Sequence, residues 1–429
     1  MRAAVLADFG STFTKVSVVE LGTGRLISHS QSPTTADSDV MDGYRAAVSE
    51  ALAAVDADVS IETRLAASSA AGGLRVAAVG LVEDLTAAAA RQAALNAGAR
   101  VELVLSGRLS DSDQDALQRV APDIVLFSGG TDGGQQRMVL ENAAVVARAQ
   151  LNAHFVVACN AEIAAQVSKR LATDGRRADV VANVMPEISQ LNAEPARAAI
   201  GQAFLNHVIA GKGLSSTDEF ARNVVMPTPE AVLTATELLA RGPDGVDGWG
   251  EVVVLDIGGA TTDVHSAAPE VRLTPGVTPP LLPVLPVLRT VQGDLGLRSN
   301  AASVFEQDRA WVLEELASRY DAAQVEASVL MRTQEPAFLP RGDDAQVDRA
   351  LATSCLTLSL QRHCGRLAIR VGVGRNVRFS VDGPDLRDAP IVLQQLFKKE
   401  FRLARHRPKQ HRIEFGIQLR VRRRRIDVP

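Results

Sequence analysis

Two stretches of this chain carry residue types that handle phosphate. Asp256-Ile-Gly-Gly-Ala-Thr-Thr-Asp263 follows an apolar run at 252–255, and Asp8-Phe-Gly-Ser-Thr-Phe-Thr-Lys15 follows one at 3–7. In each, a strand delivers an aspartate to its end, glycine lets the backbone approach an anion, hydroxyls follow, and the chain returns as a second strand. A carboxylate so placed can hold Mg²⁺ through water and orient an attacking water, while loop N–H groups hold phosphate oxygens. Asp8 and Asp256 are therefore the candidate metal ligands and, with Asp263, the candidate catalytic residues. Gly10, Ser11, Thr12, Thr14 and Lys15 in the first loop, and Gly258, Gly259, Thr261 and Thr262 in the second, are the candidate phosphate contacts. Lys15 either neutralises a phosphate or is a solvated strand residue. Either loop alone also reads as a hairpin with a polar tip. Two copies far apart in one chain are what a two-lobed phosphate clamp needs, one from each lobe.

Three further polar features have two readings each. Phe127-Ser-Gly-Gly-Thr-Asp-Gly-Gly134 lies between a strand and a helix, so Gly129 and Gly130 either meet an anion at a helix N-terminus or form a tight structural turn capped by Asp132. It lacks the GxxxxGK[ST] pattern. Asp294 stands between Arg289 and Arg298, which reads as a salt-bridged turn or as arginines that touch a nucleotide or partner. His265 follows the second phosphate loop as a general base or as a satisfied strand histidine.

The elements that must position these residues follow from periodicity. Strands are expected at 3–7 and 15–20, a helix at 42–52, a buried strand at 76–82 and an Ala-rich helix at 85–97. Between 101 and 159 strands and helices alternate, which implies a parallel, helix-covered sheet. Residues 183–239 turn helical: Pro195 sits at a helix start, Ile200, Phe204 and Val208 line one face, and Thr228-Pro229 opens a helix with a capping hydroxyl. Helices at 300–320 and 344–367 follow. The expected domains are a first lobe at 1–98, an inserted α/β and helical region at 99–245, a second lobe at 246–392, and a basic tail at 393–429.

Composition bounds the function. At 429 residues and 46% hydrophobic, the chain has material for more than one core, and so for a cleft. Its three cysteines, Cys159, Cys355 and Cys364, have no CxxC spacing, which argues against a disulfide framework or a cysteine metal site. Cys159, at the end of an apolar strand, reads as a buried structural thiol. The early apolar run is broken by Asp8 and Lys15, and the uncharged stretch 273–288 is interrupted by prolines, so neither a signal peptide nor a membrane span is expected. A cytoplasmic protein is the expectation.

The two phosphate segments resemble the first and second phosphate motifs of the superfamily of actin, sugar kinases and heat-shock chaperone ATPases. That resemblance implies a two-lobed actin-like (ribonuclease H-like) α/β fold that binds ATP or ADP with Mg²⁺. It assigns Asp8 and Asp256 to Mg²⁺ and water, and Ser11, Thr12, Gly258, Gly259 and Thr261 to phosphates. A narrower resemblance comes from those loops taken in order with Ala67-Ser-Ser-Ala-Ala-Gly-Gly-Leu-Arg75, the third glycine loop, Asn183-Val-Met-Pro-Glu187, Met226-Pro-Thr-Pro229 and Arg289-Thr-Val-Gln-Gly-Asp-Leu-Gly296. Together they resemble the MutL/GlmL family, accessory proteins of adenosylcobalamin-dependent glutamate (methylaspartate) mutase, over about residues 1–390. The implied function is a reactivating, chaperone-like helper whose nucleotide cycle moves the lobes against a partner mutase. No DxHxxG motif is present, so the corrinoid is expected to stay with the partner. The alternatives are a small-molecule kinase of the same superfamily and a scaffold that has lost hydrolysis.

The end departs from that resemblance. Where the family continues into a GTGG-type adenosine loop, this chain reads Leu393-Gln-Gln-Leu-Phe-Lys-Lys-Glu400 and later Arg422-Arg-Arg-Arg425. A reading-frame shift in a GC-rich gene produces such a change, and an in-frame result on resequencing would sink that explanation. The competing reading is a basic tail for nucleic acid or an anionic surface, for which charge alone gives no specific case.

Overall fold

The computed structural model describes residues 1–35, 38–55, 58–69, 74–210, 223–268, 282–283, 285–364, 368–371 and 377–380. The proline-rich stretch, apart from a few positions, and the basic tail lie outside the described residues. The fold is mixed α/β, built on separate sheets.

The first sheet has the order β3-β2-β1-β4-β10. It contains β1 (Arg2–Phe9), β2 (Phe13–Glu20), β3 (Leu26–Pro33), β4 (Ser60–Ser68) and β10 (Val224–Pro227). β1, β2 and β3 form an antiparallel meander, and β4 and β10 extend it in parallel with β1. This is the ribonuclease H-like arrangement expected from the sequence. β1 turns apolar residues inward, with Ala3, Val5, Ala7 and Phe9 buried, and α1 (Val40–Ala53) covers one face with Met41, Tyr44, Ala47 and Ala51.

The second sheet repeats the meander as β11 (Val252–Ile257), β12 (Thr262–Ala267) and β13 (Val287–Gln292), all antiparallel. A helical layer follows: α8 (Ala301–Gln307), α9 (Arg309–Leu316), α10 (Ala322–Gln334) and α11 (Ala345–Cys364). Its core joins Leu295, Val304, Phe305, Val312, Val325, Val329 and Leu351. The single helix expected at 300–320 is two, because the backbone at Asp308 leaves helical geometry (φ −132°) and its carboxylate accepts from Ser354 Oγ at 2.9 Å. A short hairpin of β14 (Ala368–Val371) and β15 (Val377–Ser380) follows α11.

Between these lies a fully parallel sheet of order β6-β5-β7-β8-β9, containing β5 (Arg75–Val79), β6 (Arg100–Leu105), β7 (Ile124–Gly129), β8 (His154–Cys159) and β9 (Ala178–Val180). Its central strands β5, β7 and β8 are nearly continuous apolar runs, as burial on both faces demands, while the edge strands β6 and β9 carry charged, exposed positions. Three helices, α3 (Asp111–Val120), α4 (Arg137–Arg148) and α5 (Ala164–Leu171), share a core with one face. On the other, α2 (Ala88–Asn96) and α6 (Glu194–Ala210) join its core to that of the first sheet. The division expected at residue 98 runs inside this sheet, since β5 precedes it and β6 follows. β10, from the expected insertion, belongs to the first sheet. α7 (Thr228–Arg241) leads from β10 to the second sheet and packs on β11 and β12.

Candidate phosphate site

Both loops are tight hairpin tips. In the first, Asp8 faces Lys15 across the β1–β2 ladder, and Gly10 N donates to Phe13 O at 3.1 Å. In the second, Asp256 faces Asp263 across β11–β12, and Gly258 N donates to Thr261 O at 2.8 Å. Each aspartate thus holds the same place in its hairpin. A Cβ on Gly10 would lie 2.6 Å from Phe13 O, so only glycine fits that turn.

The loops are held by their carbonyls. Thr34 donates to Gly10 O through its hydroxyl (2.9 Å) and to Thr12 O through its backbone N (2.8 Å). Behind the second loop, Leu297 N donates to Gly258 O (3.0 Å), Arg298 N to Gly259 O (2.7 Å) and Asn300 Nδ2 to Ala260 O (2.6 Å). Among the described residues no peptide bond is cis, and in a trans peptide the N–H points opposite to the C=O. Fixing three successive carbonyls toward 297–300 therefore directs the amides of Gly259, Ala260 and Thr261 the other way. Successive amides aimed together form an anion-binding concavity.

The two loops meet. A Cβ built on Gly259 would sit 2.9 Å from Thr12 Oγ1, so the loop of one sheet touches the loop of the other. Burial pushes the Asp256 carboxyl above the usual carboxylate range. The neighbouring Asp263 and Asp8 carboxylates push it the same way, while Lys15 and Arg289 oppose. Asp8, Lys15, Asp256 and Asp263 therefore belong to one electrostatic cluster. Lys15 Nζ lies 3.7 Å from Asp8 Oδ2 and is half exposed. Thr14 is buried, its hydroxyl 3.1 Å from that of Thr34, and the Thr262 hydroxyl donates to Leu295 O at 2.9 Å. These two candidates brace the hairpins.

Other expected partners differ. The Thr228 hydroxyl does not cap its helix; it donates to Asp8 Oδ1 at 2.7 Å and so ties α7 to the first loop. Asp263 is buried and bound by Arg289, Nε to Oδ1 at 2.7 Å and Nη2 to Oδ1 at 2.5 Å. Arg289 Nη1 also donates to Leu95 O (2.7 Å) and Ala99 O (3.0 Å) at the C-terminal end of α2, and Asn96 bonds to the β13 backbone at Val287 and Arg289. The polar seam between α2 and the second sheet is thus anchored on the return strand of the second loop. Asp294 pairs with Arg362, not with Arg289 or Arg298, and Arg298 pairs with Asp348. His265 is buried on the β12 face shared with Asp263, and neither ring nitrogen has a partner among the described residues; burial, then Arg289 and His363, push its pKa down to about 3. It is neither a satisfied histidine nor a base poised at neutral pH.

The third loop is bonded within its own layer. Asn183 Nδ2 donates to Gly130 O and to Asp132 Oδ1, both at 2.9 Å, and Asp132 accepts from Ala161 N rather than capping α4. A Cβ on Gly130 would meet Gln135 O at 2.4 Å. Gly129 and Gly130 thus serve a tight turn at the end of β7. Cys159, next to it, is buried, its thiol pushed up to about 12.

The model of the family described as MutL protein matches residues 4–395, nearly the whole chain. The chain belongs to the MutL protein family. A MutL relative from Clostridium tetanomorphum is 37% identical over 395 residues, covering 92% of this chain and 85% of its own. Among solved structures, nucleotide-free acetone carboxylase overlaps 84% of the chain and 63% of its own length, under two thirds, at 14% identity and a TM-score of 0.29. Xylulose kinase from Bifidobacterium adolescentis overlaps 85% and 81% at 15% identity and a TM-score of 0.26. Both superpositions are loose. Among the described residues of this MutL-family chain, no group of three or more His, Cys, Asp or Glu is spaced to hold a metal, and no helix is long and apolar enough to cross a membrane.

Proposed function

We propose that this MutL-family protein binds ATP or ADP between its two glycine loops and uses the bound nucleotide to move the sheets that carry them, as a cytoplasmic accessory or reactivating protein of an adenosylcobalamin-dependent glutamate mutase. The observation that carries the nucleotide reading is the meeting of two equivalent loops, Gly259 against Thr12, from two separate sheets. A polyphosphate set between them is held from both sides by the Ser11 and Thr12 hydroxyls and by the Gly259, Ala260 and Thr261 amides. Releasing it frees one sheet from the other.

The carboxylates suit a cation shared with phosphate rather than a cage made by protein alone. Asp256 is pushed toward its neutral form by burial and by Asp263 and Asp8, strain that a nearby cation relieves. Mg²⁺ bound through Asp8 and Asp256, with waters and phosphate oxygens as its other ligands, would neutralise phosphate charge. Lys15 offers a second cation at the mouth, and Thr228 fixes the Asp8 carboxylate. Asp263, engaged by Arg289, positions the return strand. The mutase reading rests on family membership and on the ordered motifs.

Calorimetric titration of the full chain with MgATP tests the site: binding is expected in the parent and a loss of about tenfold or more in Asp8→Ala and Asp256→Ala. Unchanged affinity in both variants would refute the assignment. A pull-down from an extract containing the mutase, with and without ATP, tests the partner; recovery of no cobalamin enzyme in either condition refutes it.

A further inference from the structure

We propose that Arg298 is a positioning residue through which the placement of the second glycine loop sets the order of helices α10 and α11, so that a phosphate on that loop is felt in the helical layer. The consequence for phosphate rests on the nucleotide reading above; the mechanical coupling does not.

The linkage is continuous. Arg298 is buried, and its backbone N holds Gly259 O while its Cγ lies 3.4 Å from where a Gly259 Cβ would stand. Its guanidinium donates to Phe338 O at 3.0 Å and to Asp348 Oδ2 at 2.9 Å. The other oxygen of Asp348 accepts from Arg332 Nε at 2.6 Å. Arg332 is fully buried, donates to Asp344 O and Ser328 O at 2.9 Å each, and lies 5.4 Å from the Phe338 ring centroid. One carboxylate on α11 is therefore shared between an arginine that grips the loop and an arginine rooted in α10.

Such a chain cannot be displaced at one end only. Arg298, Arg332, Asp348 and Asp344 balance two cations against two anions in a place where an unpaired charge is costly. The Gly296 and Arg298 backbone is clamped to the loop as well: a Cβ on Gly296 would lie 2.4 Å from the Ala260 carbonyl carbon. A shift of the Gly259 peptide unit moves Arg298 with it, and Arg298 must then give up Phe338 or carry Asp348, and with it Arg332, along. Two arrangements of a part-buried charge pair held by buried arginines, and not a graded drift, are what a packed interior permits.

Hydrogen exchange of the full chain, read by mass spectrometry, tests the coupling. Gly259→Ala sets a methyl group against Thr12 Oγ1 and the Arg298 side chain without any nucleotide, and is expected to speed exchange in 322–334 by about fivefold or more, the lower end of ordinary coupling between sites. In an Asp348→Asn background, or in Arg298→Lys should that variant fold poorly, the same alanine is expected to add less than about twofold, because the linkage is already broken. Exchange in 322–334 that ignores Gly259→Ala, or that responds equally in both backgrounds, overturns the proposal. MgATP added to the parent reports separately: slowed exchange in 256–262 is expected, and its absence sinks the nucleotide reading while the alanine arm still decides the coupling.

Discussion

Arg289→Met should be the most damaging single change in the polar seam. The arginine is buried with its partner Asp263, at 2% and 6% exposure, so removing its charge strands a carboxylate out of reach of water. Breaking a buried pair in this way costs about 3–5 kcal/mol. The same guanidinium satisfies Leu95 O and Ala99 O, and losing those bonds adds about 1 kcal/mol each. The expected total is about 5–7 kcal/mol. At roughly 1 °C per kcal/mol for a chain of 429 residues, the melting transition should fall by about 5 °C or more. Circular dichroism melts and urea unfolding measure this. One further result identifies the stranded charge as the cause: Asp263→Asn in the Arg289→Met background should restore about 2 kcal/mol. A loss below about 1 kcal/mol, or a double-mutant cycle additive to within about 0.5 kcal/mol, would refute the reasoning.

Other consequences are smaller and separable. Thr228→Val removes the hydroxyl that orients Asp8 and should weaken MgATP binding by about tenfold, with a stability loss of no more than about 1.5–3 kcal/mol, the worth of a charge-assisted bond; calorimetry and a melt together check it. Asp256→Asn should raise the melting temperature at pH 7 while weakening nucleotide binding by about tenfold or more. The folded pKa of Asp256 lies above its unfolded value, so its ionised form destabilises the fold as pH rises through that pKa. His265 works in the opposite sense: its folded pKa, about 3, lies below the ordinary 6.5, so stability present above pH 6.5 is lost as pH falls toward 3. His265→Leu should flatten that acid slope by about 1.4 kcal/mol per pH unit, read from urea midpoints between pH 4 and 7, and an unchanged slope would show that the imidazole does not titrate on unfolding.

Asp8 and Asp256 could be found in the sequence because everything that makes them visible is local: an apolar run, a glycine tip and a return strand within about ten residues. The same locality made β7, β8, α1 and α3 legible. Thr228 was misread because a threonine before a helical proline is an ordinary cap, and only the fold brings its hydroxyl to Asp8, 220 positions away. Arg289 and Arg298 were legible as charges but not as pairings. Asp294 is their neighbour in sequence, yet the antiparallel β12–β13 ladder and the helical layer offer Asp263 and Asp348 instead. Strand β5 shows the same limit at the level of domains, since nothing near 75–79 reveals that its neighbours are β6 and β7 rather than the first sheet. The orphaned imidazole of His265 had no sequence signal at all.

Helix α2 touches both the parallel sheet and the second meander, and its buried surface is mostly alanine, Ala89, Ala90, Ala93 and Ala94, with Leu95 and Asn96 at its C-terminal end. Along those four alanines methyl groups offer no knobs to lock into a neighbour's holes, so that stretch of the contact resists separation far more than it resists turning. The directional bonds are gathered at one end, where Arg289, Asn96 and Gln92 join the helix to β13. Mechanically, that describes a smooth bearing fixed by a single pin, and the pin is seated on the strand that returns from the second phosphate loop.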